Sequence, residues 1–274
     1  MNWFESLIYG LVFGISEFLP ISSSAHQQIL LKLFGQSAQD PLQDLLIHAA
    51  LIAAIFYGGR NLIDQLRRQH QSRLHRQRTT LNSGNGLELL FLKNAVIPYM
   101  VVFLLFKYGV KFQINLALVA VFSLINGIVL FSQSRMMQGN KDERFMSVFD
   151  SLLIAIAGAL SAFPGISRIG AVFTVLIARG VSRQKAVNWV ILLSIPSLFL
   201  AIGIDILNIF TNIGAVNFPG NFFGYILSAI GAYGTGYLAI KLLKPISSQR
   251  DHSGFAYYSW GVALFSFIVY LTVV

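Results

Sequence analysis

Six apolar runs long enough to cross a bilayer constrain this chain more than any motif in it. They fall at about 42–58, 89–107, 114–132, 186–206, 222–243 and 254–274, and a spanning helix needs roughly 20 apolar residues. Of 274 residues, 55% are hydrophobic and only 11% charged, against about 25% charged in soluble domains. The expected fold class is an all-α integral membrane protein, built as a single membrane domain over 1–274. There is no cysteine, which excludes a disulfide framework and a thiolate metal site. Met1-Asn-Trp-Phe-Glu5 lacks the basic head of a signal peptide, and the apolar run behind it contains Glu17 and Pro20. It is expected to be mature structure.

Two further apolar regions do not read as single spans. Residues 3–34 are broken near Pro20 by Glu17-Phe-Leu-Pro-Ile-Ser-Ser-Ser-Ala-His26, and residues 147–182 near Phe163-Pro164-Gly165-Ile-Ser-Arg168. Each predicts two short helices joined at a non-helical tip. Irregular backbone is tolerated at membrane depth only where protein buries it or it lines a wet cavity. Six transmembrane helices plus two re-entrant helical hairpins is therefore the predicted layout.

Charge then sets orientation. The net charge of +9 does not call for nucleic acid, because the basic residues fall between the apolar runs. Fifteen of the twenty Lys and Arg share one face on this layout, six of them in the basic loop at about 60–88. Lys32, Lys107 and Lys111 take the other face, and Lys93 and Arg168 lie within apolar segments. The positive-inside rule puts the fifteen in the cytoplasm and both termini outside. A hairpin plus three spans, followed by the same set upside down, is an inverted-topology repeat over about 1–133 and 146–274. Transporters use this plan, with broken helices meeting near the midplane.

Ionisable groups inside such segments are functional candidates by default. Glu17, Ser22, Ser23, Ser24 and His26 sit on one tip, and Ser167 and Arg168 on the other. Together they hold what hydrolysis of a phosphate ester or anhydride needs. Arginine binds phosphoryl oxygens bidentately. Serine or histidine can attack phosphorus, and a glutamate can act as base or help hold a divalent cation. A bland reading stands beside this one: packing serines, with Glu17 a structural partner of Arg168. Asp44 and His48 share a face at i, i+4 spacing and are expected to pair against the first hairpin. Asp205 and Lys93 are expected to snorkel or pair, and Asn115 and Asn126 to join helices. Gly224, Ser228, Ala232 and Gly236 repeat every fourth residue as a seam for close helix packing. Trp3, Trp260, Tyr257 and Tyr258 fit interfacial belts.

At the two tips the chain resembles the bacitracin-resistance family of undecaprenyl-pyrophosphate phosphatases. The matching stretches are Gly14-Ile-Ser-Glu-Phe-Leu-Pro-Ile-Ser-Ser-Ser-Ala-His26 and Pro164-Gly-Ile-Ser-Arg-Ile-Gly170. Arg179-Gly-Val-Ser-Arg183, Leu193-Ser-Ile-Pro196 and Asp44-Leu-Leu-Ile-His48 follow the same likeness. The resemblance implies dephosphorylation of undecaprenyl pyrophosphate at the outer face of the bacterial plasma membrane, recycling the lipid carrier of cell-wall polysaccharides. It implies Glu17, Ser23, His26 and Arg168 as the active-site group. Ser22, Ser24, Gly165, Ser167 and Gly170 would line the substrate, and Glu17 would ligate any Mg2+ or Ca2+. The expected partners are a polyprenyl diphosphate and the bilayer, with a homodimer left open. Two positions depart from the family pattern: Phe13 replaces the earlier of two glutamates, and Ile169 interrupts a hydroxyl-rich run. The rival expectation is a non-catalytic carrier or flippase for a polyprenyl phosphate or another anionic lipid.

Overall fold

A computed structural model describes residues 1–64, 67–68, 87–109, 115–137, 139–141, 146–211, 221–248 and 253–272, the side chains of 87–93, 244 and 247–248 excepted. The basic loop therefore lies mostly outside the described residues, as do Lys111, Arg144, Arg250 and the side chains of Lys93 and Lys244.

The described residues are helical almost throughout. They form α1 (Trp3–Phe18), α2 (Ser23–Leu33), α3 (Pro41–Gly58), α4 (Leu87–Gly109) and α5 (Leu116–Arg135) in the first half. The second half holds α6 (Val148–Ala159), α7 (Arg168–Ala178), α8 (Arg183–Thr211), α9 (Phe222–Ser248) and α10 (Ser253–Thr272). Five of these are long and apolar enough to cross a membrane: α3, α5, α8, α9 through Leu243, and α10. The sixth expected run lies in α4, whose described portion Asn94–Gly109 is apolar but shorter. The protein is an integral membrane protein.

Both breaks fall where the sequence forces them. Asn2 and Glu5 form a capping box that starts α1, and Leu19 ends it in an extended conformation, since the residue before a proline is pushed out of the helical region. Ser22 then takes φ +65°, unusual for a residue with a side chain. Its Oγ caps the Ala25 N–H and starts α2. In the second break a 3₁₀ turn at Leu160–Ala162 ends α6. Gly165 has φ +117° and packs so closely on Phe122 and Ser123 that a Cβ would meet their backbone. Ser167 caps α7 through the Gly170 N–H.

Contacts between element ends tie each pair of short helices to its neighbours. Arg179 at the end of α7 ion-pairs with Asp150 in the first turn of α6. Lys141, 2.8 Å from the same carboxylate, also bridges to Val181. At the other end of the molecule, Asn221 donates to Ser6 of α1. Tyr225, one turn further along, donates to Asp40 at the start of α3.

Long-range packing follows one pattern. The most extensive contacts join α1 to α9 and α5 to α10, followed by α3 to α9, α4 to α6 and α3 to α8. Along the α1–α9 seam, Gly10 faces Ser228, Gly14 faces Ala232 and Phe18 meets Gly236, so the two helices run parallel. The expected small-residue stripe of α9 is this contact, except that Gly224 faces its own neighbour Asn221. Trp260 fills the groove over Gly127 and donates to Leu124 O. The buried core gathers Tyr9, Phe13, Phe18, Ile47, Leu51, Trp189 and Ile191, drawn from α1, α3 and α8.

Candidate active site

The two breaks touch. Gly165 N–H donates to Ser22 Oγ at 3.1 Å, and Ser167 Oγ reaches Leu19 O at 3.5 Å. Asn126 of α5 stitches them further. Its Oδ1 accepts from Ser167 N–H at 2.9 Å, while its Nδ2 donates to Pro20 O at 3.3 Å and Ser259 Oγ at 3.0 Å. Ser22 thus sits in a strained conformation, at a cost of order 1–3 kcal/mol, that its contacts with the second break over-determine.

This junction assembles three polar side chains. Arg168 Nη2 donates to Glu17 Oε1 at 2.7 Å. Ser23 donates to the other carboxylate oxygen, Oε2, at 2.5 Å. Arg168 Nη1 bonds Ser197 Oγ and approaches Leu193 O, so α8 fixes the guanidinium from behind. A buried ion pair offsets its desolvation only with good geometry and further hydrogen bonds, and both conditions hold here. Ser23 opens α2 and Arg168 opens α7, so the N-terminal N–H groups and dipoles of both half-helices add to a site for anions.

The cluster lines a cavity of about 360 Å³, within the roughly 300–1,000 Å³ usual for ligand sites. Glu17, Ser22, Ser23, Ser24, Ser167, Arg168 and Ser197 form its polar floor. Tyr99, Phe103, Phe106, Phe122 and Phe163 form an aromatic wall. The cavity reaches toward the end of the molecule where α3 and α5 start and α4 and α8 finish, bounded there by Gln39, Lys107, Leu118 and Asp205.

A carboxylate, a hydroxyl and an arginine thus converge across the two broken helices. The model of the bacitracin resistance protein BacA family matches residues 6–265. The chain belongs to this family. It is 31% identical over 266 residues to an undecaprenyl-diphosphatase of Campylobacter concisus, covering 97% of both chains. It is 32% identical over 250 residues to undecaprenyl-diphosphatase 2 of Stutzerimonas stutzeri, covering 90% of this chain and 92% of the relative. An undecaprenyl-diphosphatase of Syntrophotalea carbinolica is 30% identical over 266 residues, covering 95% and 96%.

The other expected residues of this BacA-family chain fall in different places. His26 lies outside the arc of α2 (Ser23, Ser24, Gln27, Gln28) that faces the cavity. Its Nδ1–H donates to Ser22 O at 2.7 Å, since a carbonyl can only accept. Its Nε2 is 2.8 Å from Tyr258 OH, with the two rings stacked. Gly165 and Gly170 shape the junction rather than the cavity surface, Gly170 packing against Leu130 and Pro20. Ile169 is buried in the core. Phe13 does line the cavity, one turn before Glu17, with its ring edge-on to Tyr9 and to His48.

Sequence reasoning underrated a second polar group on the same cavity. Asp44 and His48 bond to other helices: Tyr9 OH donates to Asp44 Oδ1 at 3.0 Å, and His48 Nδ1 lies 2.6 Å from Asp205 Oδ2. The i, i+4 spacing signalled a shared face, but the partner of His48 lies 157 residues away.

Proposed function

We propose that this protein is a membrane phosphatase that hydrolyses undecaprenyl pyrophosphate, or a related polyprenyl diphosphate, to the monophosphate. The observation that carries the reading is the Arg168–Glu17–Ser23 array across the two breaks. Glu17 takes the Oγ proton of Ser23 as that oxygen attacks the terminal phosphorus. Arg168 has donors beyond those given to Glu17 and Ser197, and these meet the charge that develops on the phosphoryl oxygens. Ser23 is the nucleophile rather than His26, whose Nε2 lone pair accepts from Tyr258 and which does not line the cavity. The aromatic wall from Tyr99 to Phe163 takes the first isoprene units.

The donor set does not fit a resident divalent cation. Both oxygens of Glu17 are engaged by Arg168 and Ser23, and among the described residues no three His, Asp or Glu side chains cluster as metal ligands. Hard cations prefer several oxygen ligands, so no step is routed through one.

The topology belongs to the same proposal. Matching α1–α5 with α6–α10 turns the α1–α9 contact into α6–α4, and leaves the α3–α8 and α5–α10 contacts as self-matched pairs. That closure supports an inverted repeat with α1–α2 and α6–α7 as re-entrant hairpins. The fifteen basic residues then face the cytoplasm of a bacterium, both termini lie outside, and the cavity opens to the outer face. Lipid carrier is released and recycled on that face.

The purified protein in detergent should release inorganic phosphate from undecaprenyl pyrophosphate, and Arg168→Ala should abolish the release. A wild-type rate no greater than that of Arg168→Ala would remove this reading.

A further inference from the structure

Hydrolysis through a phosphoserine needs a second base, and the junction of the two breaks does not supply it. In phosphoryl transfer the attacking and leaving oxygens lie roughly in line. Water that releases phosphate from Ser23 must therefore approach from the side opposite Ser23 Oγ. Glu17 stands on the Ser23 side, with one oxygen on Ser23 and the other on Arg168. The required base must come from the rest of the cavity wall.

Among the described residues, the other titratable groups lining that wall are Asp44, His48, Tyr99, Lys107 and Asp205. Asp44 accepts from buried Tyr9, and Asp205 accepts from His48. His48 differs from them. A carboxylate accepts, so Nδ1 carries the ring proton, and the lone pair of the neutral imidazole sits on Nε2. An imidazole fixed through Nδ1 by a carboxylate has the tautomer and orientation of a general base. Its surroundings also place it. The ring packs against Phe13, one turn from Glu17 on α1, while Asp205 lies two turns beyond Ser197, the residue that holds Arg168. The groups facing His48 are Tyr9 and Glu17 from α1, Asp44 on its own helix and Asp205 from α8. Lys107 from α4 shares the cavity, and Tyr225 of α9 is committed to Asp40.

We propose that His48, positioned by Asp205, is the base that activates water in the second half-reaction. The inference rests on the phosphatase reading. First, the Ser23 Oγ–P bond forms as the phosphoanhydride P–O bond breaks. The Oγ proton passes to Glu17, and the polyprenyl monophosphate leaves. Second, water oxygen bonds to the same phosphorus as Oγ–P breaks. The water proton passes to Nε2 of His48, Oγ recovers its proton from Glu17, and inorganic phosphate departs. His48 then loses its proton to solvent, so one diphosphate and one water give monophosphate, phosphate and a proton. Phe13 gains a meaning here: with no carboxylate one turn before Glu17, α3 provides the second proton acceptor in place of α1.

The test separates the two half-reactions. Undecaprenyl pyrophosphate radiolabelled in its terminal phosphate is mixed with wild type, His48→Gln and Asp205→Asn in detergent, each first checked by thermal melting. For His48→Gln, steady-state phosphate release should fall about 10²–10⁴-fold, the contribution usual for a general base. It should show a burst of monophosphate equal to the enzyme present, with label retained on Ser23. Asp205→Asn should give the same burst with a smaller loss, and it carries the test if His48→Gln does not fold. Unchanged turnover, or slow turnover with neither burst nor retained label, overturns the proposal. Wild type that releases no phosphate at all overturns the phosphatase reading instead.

Discussion

Asn126 sets how firmly the two breaks hold each other, because its single amide serves Ser167 N–H, Pro20 O and Ser259 at once. Asn126→Ala leaves a buried N–H and a buried carbonyl unpaired, which should cost about 1–3 kcal/mol for each orphaned group. It also lets Arg168, the residue after Ser167, drift from Glu17, and a displacement of about 1 Å can cost around 10²-fold in rate. Melting in detergent and phosphate release should therefore fall together. If activity were kept while the melting point dropped, Asn126 would hold helices without holding the site. The site was partly legible at this scale. Glu17, Ser23 and Arg168 stood out because polar groups in apolar segments need a reason. Asn126 read only as interhelical glue, since one sequence does not say which backbone groups an amide will meet. The placement of His26 was hidden for a related reason. Three residues after Ser23 it falls just off the cavity-facing arc, and Tyr258, 232 positions away, takes its ring.

At the scale of elements, the α1–α9 seam depends on Gly10 and Gly14. A Cβ at Gly10 would land on the Ser228 backbone and one at Gly14 on Ala232. These atoms belong to helix backbone, so a side chain has to push the helices apart. Overpacking typically costs 1–3 kcal/mol, roughly. Gly10→Val should reach at least the upper end of that range, whereas Gly261→Val on α10, with nothing within 4 Å of its Cβ, should melt close to wild type apart from propensity. Equal melting points for the two variants would show that the seam is looser than described. Helix existence and the breaks were legible, because apolar length and a proline inside a polar run act locally. Partner choice was not. The four-residue repeat in α9 announced close packing, yet α1 could be found as its partner only once the chain was folded. The same holds for Trp260, whose sequence fits an interfacial belt and whose ring fills the groove over Gly127.

For the whole molecule, orientation and the return of each hairpin can be tested in one experiment that the composition makes clean. The chain has no cysteine, so every introduced thiol reports alone. If α1–α2 is re-entrant, Asn2→Cys and Gln36→Cys lie on the same face, and a membrane-impermeant maleimide should label both in intact spheroplasts. If α1 and α2 were instead two parts of one broken span, these positions would lie on opposite faces and only one would react. The second hairpin gives the mirror case. Ser147→Cys and Ser182→Cys should both stay unlabelled until the membrane is opened, as their neighbours Asp150 and Arg179 require by meeting at one end. Four thiols thus distinguish two returning hairpins from any single-crossing alternative, and they fix the sign of the orientation as well. The chemistry depends on that sign. Gln39, Lys107 and Asp205 mark the end toward which the cavity extends, and Gln36 lies in the turn just before Gln39 and α3. Labelling of Gln36→Cys from outside would place the reacting diphosphate at the outer leaflet; labelling only from inside would put phosphate release in the cytoplasm.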